Sequence, residues 1–243
     1  MTQTAQSHPK TSILRTLGRI LLWCIGLFFG LSILTVIVFR WVPVLATPLM
    51  VLRSIEYILK GEQMPVKKDW VPLSEVSVHL QKAVIASEDP KFLNHYGFDF
   101  EAIEKAIKRN KTRKRKLGAS TISQQTAKNV FLYPSRTYFR KGLEAYFTVL
   151  IELLWGKERI LEVYLNVIEL GPGLYGAEAA AQKFWKKKAL NLTPSEAQLL
   201  AAILPNPRRW NPTRPTSFVL RRRSFARRNI QILGPEYFKE LVE

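Results

Sequence analysis

The chain has 243 residues, with 37 lysines and arginines against 19 aspartates and glutamates, so its formal net charge is +18. A content of 47% hydrophobic and 11% aromatic residues supplies a core and excludes a disordered or collagen-like chain. One cysteine, Cys24, excludes an intramolecular disulfide framework, and three histidines without H-x-x-x-H spacing argue against a catalytic zinc site.

The first element is a hydrophobic segment. From Ile20 to Phe39 the chain runs for twenty residues without a charged side chain, enough for a helix to cross the roughly 30 Å hydrocarbon core of a bilayer. A cleaved signal peptide would have a shorter apolar region and a small-residue cleavage site. The segment therefore predicts a transmembrane helix over residues 20–39, after a short tail over residues 1–19. Positive charges balance on its two sides and leave its orientation open.

Residues 40–72 are predicted to form a juxtamembrane connector. Leucine and isoleucine recur at three- and four-residue intervals from Leu45 to Leu59, which indicates an amphipathic helix. Two placements of this helix stay open at this point: it lies on the bilayer surface, or it packs against the domain that follows.

The next predicted helix runs to Asp89, where Pro90 stops it. Ser74 is the candidate N-terminal cap, and Leu80 and Val84 are expected to face inward. A helix placed here would bring the acidic pair at its end close to a loop.

Three more helices follow from apolar spacing and capping residues. The pattern predicts a core helix over Tyr138–Leu154 and another from Lys157 to about Val167. Thr193 and Glu196 form a capping box that opens a helix ending before Leu204. No convincing strand alternation and no internal repeat occur in the sequence, which therefore predicts a mainly α domain.

Basic residues cluster in two runs. A protein this basic is expected to seek phosphate groups, in nucleic acid, anionic lipid or a phosphorylated substrate. The runs lack the interleaved aromatic residues typical of nucleic-acid binding, since the second contains only Phe225 and the first contains none. Attraction to anionic lipid headgroups suits a tethered domain, and a merely solvated charged face remains the alternative. The runs are Lys105, Lys108, Arg109, Lys111, Arg113, Lys114, Arg115 and Lys116, and then Arg221, Arg222, Arg223, Arg227 and Arg228.

Three polar segments carry candidate chemistry. Glu88 lies near the C-terminus of a predicted helix, where the helix dipole raises a carboxylate's pKa and suits it to accept a proton. Residues 118–129 supply hydroxyls, amides and a lysine, which fit a sugar or phosphate site but also any polar helix start. Arg140 and Lys141 beside Glu144 fit a structural ion network and a phosphate-binding site equally well.

These segments resemble, in order, the motifs of the peptidoglycan glycosyltransferases, the lysozyme-like enzymes that polymerise lipid II into glycan strands. The likeness covers roughly residues 70–215 and is greatest to the monofunctional, membrane-anchored members, because the chain ends at Glu243 and we expect no transpeptidase domain in it. The matching motifs are Glu88-Asp-x-x-Phe92-x-x-His95-x-Gly97, Gly118-x-Ser120-Thr121-Ile122-x-Gln124-Gln125-x-x-Lys128-Asn129, Arg140-Lys141-x-x-Glu144 and Lys157-x-x-Ile160-Leu161-Glu162-x-Tyr164-Leu165-Asn166.

The resemblance implies a mainly α, lysozyme-like, two-lobed glycosyltransferase domain over residues 73–243, with one N-terminal transmembrane helix. It implies that Glu88 is the base that activates the acceptor hydroxyl, and that Glu144 orients cations or helps hold a metal. The remaining implied roles are pyrophosphate contacts for Lys128, Arg140 and Lys141, sugar and phosphate contacts for Ser120, Gln125 and Asn129, and support of the loop for Asp89 and His95.

The resemblance also carries expectations about cofactors, partners and location. It implies no certain cofactor and leaves open a divalent cation, Mg²⁺ or Mn²⁺, at the pyrophosphate. The implied partners are lipid II, the nascent glycan strand and the membrane; cell-division or elongation proteins are left open, and no nucleic acid is expected. The tail is expected in the cytoplasm and the catalytic domain on the outer, periplasmic face of the bacterial cytoplasmic membrane. A hydrolase of finished strands and a non-catalytic scaffold are the rival interpretations.

Overall fold

The computed structural model describes residues 10–61, 66–112, 118–135 and 137–239, with side chains from residue 15 onwards. The predicted tail before residue 10 and the basic residues Arg113, Lys114, Arg115 and Lys116 lie outside the described residues. The chain divides into two compact units, Met1–Val42 and Pro43–Glu243. The helices are α1 (Lys10–Phe39), α2 (Pro48–Leu59), α3 (Val78–Glu88), α4 (Phe100–Asn110), α5 (Ile122–Phe131), α6 (Tyr138–Leu154), α7 (Lys157–Val167), α8 (Ala177–Trp185), α9 (Pro194–Ile203) and α10 (Ser217–Tyr237).

The first unit contains α1, the predicted apolar helix. Its stretch Arg15–Phe39 is long and apolar enough to cross a membrane, with a mean hydropathy of 2.6. The helix begins at Lys10, ten residues before the predicted span, so it extends beyond the uncharged segment into residues that include Arg15 and Arg19. Most of its large apolar side chains are exposed, including Leu22 and Trp23. Such exposure fits a helix whose solvent is lipid.

The second unit is built on helix packing, as the apolar periodicity predicts. In it α3 packs against α9 and α10, and α5 packs against α6 and α7. Leu80 and Val84 are buried as expected. The predicted cap of α3 was wrong: Ser74 lies in a short 3₁₀ turn, and Ser77 caps the helix by accepting a hydrogen bond from the His79 amide. Since both serines precede the same apolar run, packing of the segment decided which of them became the cap.

The other predicted helices are confirmed. The predicted bounds of Tyr138–Leu154 and Lys157–Val167 are those of α6 and α7. The capping box of Thr193 and Glu196 opens α9, which ends at Ile203. A mainly helical fold is therefore correct.

A small sheet was not predicted. Strands β1 (Lys67–Lys68), β2 (Glu169–Gly171) and β3 (Leu174–Tyr175) pair in the order β1-β3-β2, with β1 parallel and β2 antiparallel to β3. Strands of two or three residues are too short to show the alternation of buried and exposed residues that identifies a strand in a sequence. The pairing fixes residues 67–68 to the turn that follows α7.

The connector belongs to the second compact unit. Helix α2 starts at a Thr47 cap and buries Met50 and Tyr57, and its neighbours include α5. The packing alternative is therefore confirmed for one face of α2. The opposite face exposes Ile58 and Leu59.

Candidate active site

Glu88 is the last residue of α3 and is held from two other helices. One carboxylate oxygen, Oε2, accepts a hydrogen bond from Gln125 Nε2 of α5 at 3.3 Å. The other, Oε1, pairs with Arg222 Nη2 of α10 at 3.0 Å. The Glu88 side chain is only 14% exposed, so its orientation is set by these partners and not by solvent.

The pKa of Glu88 is raised, mainly because burial disfavours the charged form. The charge of Arg222 and hydrogen bonds from Gln125 and Ser87 oppose this rise, while the neighbouring Asp89 adds to it. The direction agrees with the sequence analysis, but the leading cause is burial and not the helix dipole. A carboxylate of this kind is a stronger base than an ordinary glutamate, and Arg222 favours its ionised form.

Asp89 and His95 build the loop that follows Glu88. Both oxygens of Asp89 lie against His95 Nε2, at 3.0 and 3.1 Å, and Oδ2 also accepts a hydrogen bond from the Ile122 amide at 2.9 Å. The last contact ties the loop to the first turn of α5. The carbonyl of His95 in turn accepts from Lys157 Nζ at 2.6 Å. These contacts agree with a supporting role for both residues.

Gly97 lies at the end of the same loop, in a backbone conformation that residues with a Cβ rarely adopt. Its φ is +84°, and a Cβ atom placed there would lie 2.7 Å from the Cγ2 of Thr148 on α6. The glycine therefore allows the loop to approach α6 closely. Thr121, the cap of α5, donates to the Gly97 carbonyl at 2.7 Å and completes the attachment.

Gln125 connects a buried tyrosine to Glu88 through two hydrogen bonds. Tyr164 of α7 donates its hydroxyl to Gln125 Oε1 at 3.2 Å, which leaves the Gln125 amide NH₂ to face Glu88. Ser120, by contrast, lies exposed before the α5 cap, and no contact brings it to Glu88. Gln125 is therefore held against Glu88, whereas Ser120 is exposed.

Arg140, Lys141 and Glu144 form one cluster on the first turns of α6. Arg140 Nη1 lies 2.6 Å from Glu144 Oε2, and Lys141 Nζ pairs with Glu144 Oε1. Glu144 is buried, while the Lys141 side chain is 48% exposed. Both oxygens of Glu144 are thus occupied by cations, which favours its role in orienting them. These contacts do not fit Glu144 to holding a divalent cation, and the described residues contain no cluster of three or more acidic, histidine or cysteine side chains for one.

Lys128 lies near both Glu88 and the cation cluster. Burial lowers its pKa, Glu144 and Glu88 raise it, and Arg140 and Lys141 lower it. All four charges therefore act on one ammonium group. Lys128, Asn129 and Arg140 also line one cavity of about 400 Å³, whose lining does not include Glu88. The site thus combines a carboxylate whose charge acts on Lys128 with a cavity that Lys128 and Arg140 line.

Sequence reasoning missed Arg222 and Tyr164 as site residues. Arg222 was assigned to a basic run at a lipid or solvent surface, but its Nε donates to the Ala202 carbonyl at 3.1 Å and its Nη2 pairs with Glu88. Its neighbour Arg228 is exposed. The two arginines lie six residues apart on α10 and so point to different sides, but the sequence of the run does not show which side packs against α3.

Comparison with known proteins places the chain among transglycosylases. The model of the transglycosylase family matches residues 56–231. The chain is 58% identical over 208 residues to a biosynthetic peptidoglycan transglycosylase of Bdellovibrio bacteriovorus, a match that covers 86% of this chain and 83% of the relative. It is 52% identical over 214 residues to a protein of the same description from Bacteroides thetaiotaomicron, covering 88% and 85%. A third, from Pseudomonas syringae, is 50% identical over 231 residues, covering 95% and 96%.

Proposed function

The chain belongs to the transglycosylase family, and we propose that it is a peptidoglycan glycosyltransferase that polymerises lipid II by an inverting displacement with Glu88 as the base. The growing strand, linked to a lipid pyrophosphate, is the donor, and the GlcNAc 4-hydroxyl of lipid II is the acceptor. The product is a β-1,4-linked glycan strand for the cell wall, together with a polyprenyl pyrophosphate. The observation that carries this proposal is that Lys128, whose ammonium is influenced by the charges of both Glu88 and the Arg140–Lys141–Glu144 cluster, lines one cavity together with Arg140.

Glu88 takes the proton of the attacking hydroxyl. As the acceptor oxygen forms its bond to the anomeric carbon of the donor, the proton passes to a carboxylate oxygen of Glu88, and the bond from that carbon to pyrophosphate breaks. A single displacement inverts the anomeric carbon from α to β, which requires the base on the face opposite the leaving group. The raised pKa of Glu88 strengthens it as an acceptor of this proton.

The cations stabilise the leaving group. Negative charge grows on the pyrophosphate as the bond breaks, so a strong general acid is less necessary than fixed positive charge. Lys128, Arg140 and Lys141 supply that charge, and Glu144 keeps the last two in place. Asn129 lines the same cavity and is suited to a phosphate or sugar oxygen, and the exposed Ser120 is suited to a sugar hydroxyl.

The membrane is part of the proposal. The apolar stretch Arg15–Phe39 supports a single-pass anchor, with the catalytic unit on the periplasmic face of the cytoplasmic membrane, where lipid-linked substrates are displayed. A tethered enzyme and tethered substrates meet in a plane, which raises their effective concentration. The exposed Ile58 and Leu59 of α2 are suited to lie at the bilayer surface.

A hydrolase that cuts finished strands is the alternative with the same base. It would use water as the acceptor and would release no pyrophosphate. The cations around Glu144 would then have no part in the reaction, so their position beside Lys128 favours the polymerase.

The test is polymerisation of labelled lipid II by the full chain in detergent. Glu88→Gln keeps the shape of the side chain and its neighbours but removes the base, and we expect its rate to fall about 10²- to 10⁴-fold. Glu104→Gln on the exposed face of α4 is the matched control and should polymerise like the wild type. Glycan strands from the Glu88→Gln protein at the wild-type rate, with folding verified by circular dichroism, would rule out the mechanism.

A further inference from the structure

The cavity beside the cation cluster is closed on one side by residues that have no assigned role. It is lined by Leu49, Arg53, Lys128, Asn129, Leu132, Pro134, Ser135, Arg140 and Glu169. Arg53 comes from α2 and Glu169 from β2, and both lie in segments outside the motifs that identified the site. The connector thus contributes directly to the wall of the cavity.

Three residues that line this cavity each have one buried polar atom without a hydrogen-bond partner. These atoms are the Nε atoms of Arg53 and Arg140 and the Oε1 atom of Glu169. A buried donor or acceptor without a partner is costly, and most such atoms in folded proteins are paired. Two donors and one acceptor gathered on one cavity therefore indicate a ligand that both accepts and donates hydrogen bonds.

The Arg53 guanidinium is only partly occupied by the protein. Its Nη1 pairs at 2.5 Å with Glu56 one turn along α2, on the solvent side, where the Glu56 side chain is 51% exposed. This contact anchors the guanidinium and leaves Nε without a partner. Arginine presents its donors in a planar fork that matches phosphate oxygens, so this arrangement suits a phosphate group.

Glu169 supplies a hydrogen-bond acceptor to the same cavity, whereas the arginines supply donors. The nearest cation to Oε1 is Arg208, whose Nε lies 3.9 Å away and so forms no hydrogen bond. A buried carboxylate oxygen in this state can accept a hydrogen bond from a hydroxyl or an amide N–H. A pyrophosphate-linked sugar carries hydroxyl and amide N–H groups next to its phosphates. One ligand can therefore bind the arginines through its phosphates and Glu169 through its sugar.

We propose that Arg53 is an additional phosphate ligand of the lipid-linked donor and that Glu169 accepts a hydrogen bond from the sugar attached to that phosphate. The inference rests on the proposed function for the identity of the donor, and extends its binding site to α2 and β2. The apolar lining from Leu49, Leu132 and Pro134 leaves a non-polar path for the first part of the lipid chain.

The test is direct binding by the full chain in detergent, with two probes that differ in the sugar. Farnesyl pyrophosphate carries the phosphates alone, and lipid II carries phosphates and sugars. We expect Arg53→Gln to bind both probes about tenfold more weakly, which is the effect of losing one charge-assisted hydrogen bond. Glu169→Ala, which removes the acceptor, should weaken binding of lipid II and leave farnesyl pyrophosphate unchanged.

Two variants separate this role from a structural one. Glu56→Gln removes the charge of the solvent-side partner but keeps an oxygen that can accept the Arg53 hydrogen bond, so it should bind both probes like the wild type. Arg53→Lys keeps the charge without the fork and should fall between the wild type and Arg53→Gln; it also serves if Arg53→Gln fails to fold. Wild-type affinity for both probes in folded Arg53→Gln or Arg53→Lys would overturn the Arg53 assignment. Unchanged binding of lipid II by folded Glu169→Ala would overturn the assignment of Glu169.

Parallel polymerisation assays keep the two proposals distinct. A wild-type protein that binds farnesyl pyrophosphate through Arg53 but makes no strands would contradict the proposed function and support the subsite. If the wild-type protein polymerises lipid II and the Arg53→Gln protein binds both probes normally, the result supports the proposed function and contradicts the subsite.

Discussion

Arg222 and Glu88 are 134 residues apart in the chain, and their Nη2 and Oε1 atoms lie 3.0 Å apart in the fold. Arg222 is fixed by the carbonyl of Ala202 and by Ser87, so it is a rigid partner and not a mobile surface side chain. The contact with Arg222 opposes the effect of burial on the pKa of Glu88. Burial raises the pKa of Glu88, which strengthens the base, while the cation keeps enough of it ionised to act.

The first prediction concerns pH. The base must be ionised to accept a proton, so activity is lost as pH falls through the pKa of Glu88. Arg222→Gln removes the cation that opposes the effect of burial, so the pKa of Glu88 rises further and the acid limb of the kcat/KM profile moves to higher pH. Measuring the profile for the wild type and the variant tests this. Arg228→Gln, an exposed position on the same helix, should leave the limb in place. An unmoved limb in folded Arg222→Gln would show that the pair does not tune the base.

The second prediction concerns the leaving group. Lys141→Ala removes a charge that we place on the pyrophosphate, and kcat/KM for lipid II should fall about 10- to 100-fold, the effect of one hydrogen bond to a charged group. The fold should survive, because the Lys141 side chain is 48% exposed. Lys105→Ala is the control, since Lys105 pairs with a carboxylate at helical spacing on the exposed face of α4. Equal activity of the two variants would contradict the assignment.

The third prediction concerns Glu144. Glu144→Gln leaves Arg140 without its carboxylate at a buried position, and the free energy of unfolding should fall by about 3 kcal/mol. Polymerisation should fall as well, because Arg140 and Lys141 lose their fixed orientation. Chemical denaturation and the lipid II assay measure the two effects. Glu101→Gln, which breaks exposed ion pairs with Lys91 and Lys105, should lower the free energy of unfolding far less than Glu144→Gln does. Similar stabilities for both variants would mean that the Glu144 cluster is not a buried network.

The fourth prediction compares two glycines. Gly97→Ala places a Cβ 2.7 Å from Thr148 at a φ of +84°, and it should destabilise the protein by roughly 1–3 kcal/mol. Gly142→Ala lies inside α6 with open space around the new Cβ, and it should stabilise the protein by about 0.5–1 kcal/mol. Thermal unfolding of both variants measures these changes in stability. A Gly97→Ala protein as stable as the wild type would exclude the close packing of this loop on α6.

Local features of the sequence determined much of the fold. The apolar periodicity of α6 and α7, the uncharged stretch inside α1 and the capping box of α9 each depend on residues within a few turns of one another. Side chains three or four residues apart share a helix face, so such patterns can be recognised without the rest of the chain. The order of the motifs likewise identified the candidate base and cations before their distances were known.

The tertiary structure decided the contacts between segments that are distant in the chain. Nothing local distinguishes Arg222 from the other arginines of its run, or Arg53 from an ordinary surface residue of the connector. Their roles depend on which helix faces meet, and therefore on the packing of α10 against α3 and of α2 beside α5. The choice of Ser77 over Ser74 and the pairing of the three short strands were settled in the same way. A sequence specifies local conformation through neighbouring residues, whereas burial and partner distance exist only once the whole core has packed, and these two quantities set the charge state of Glu88.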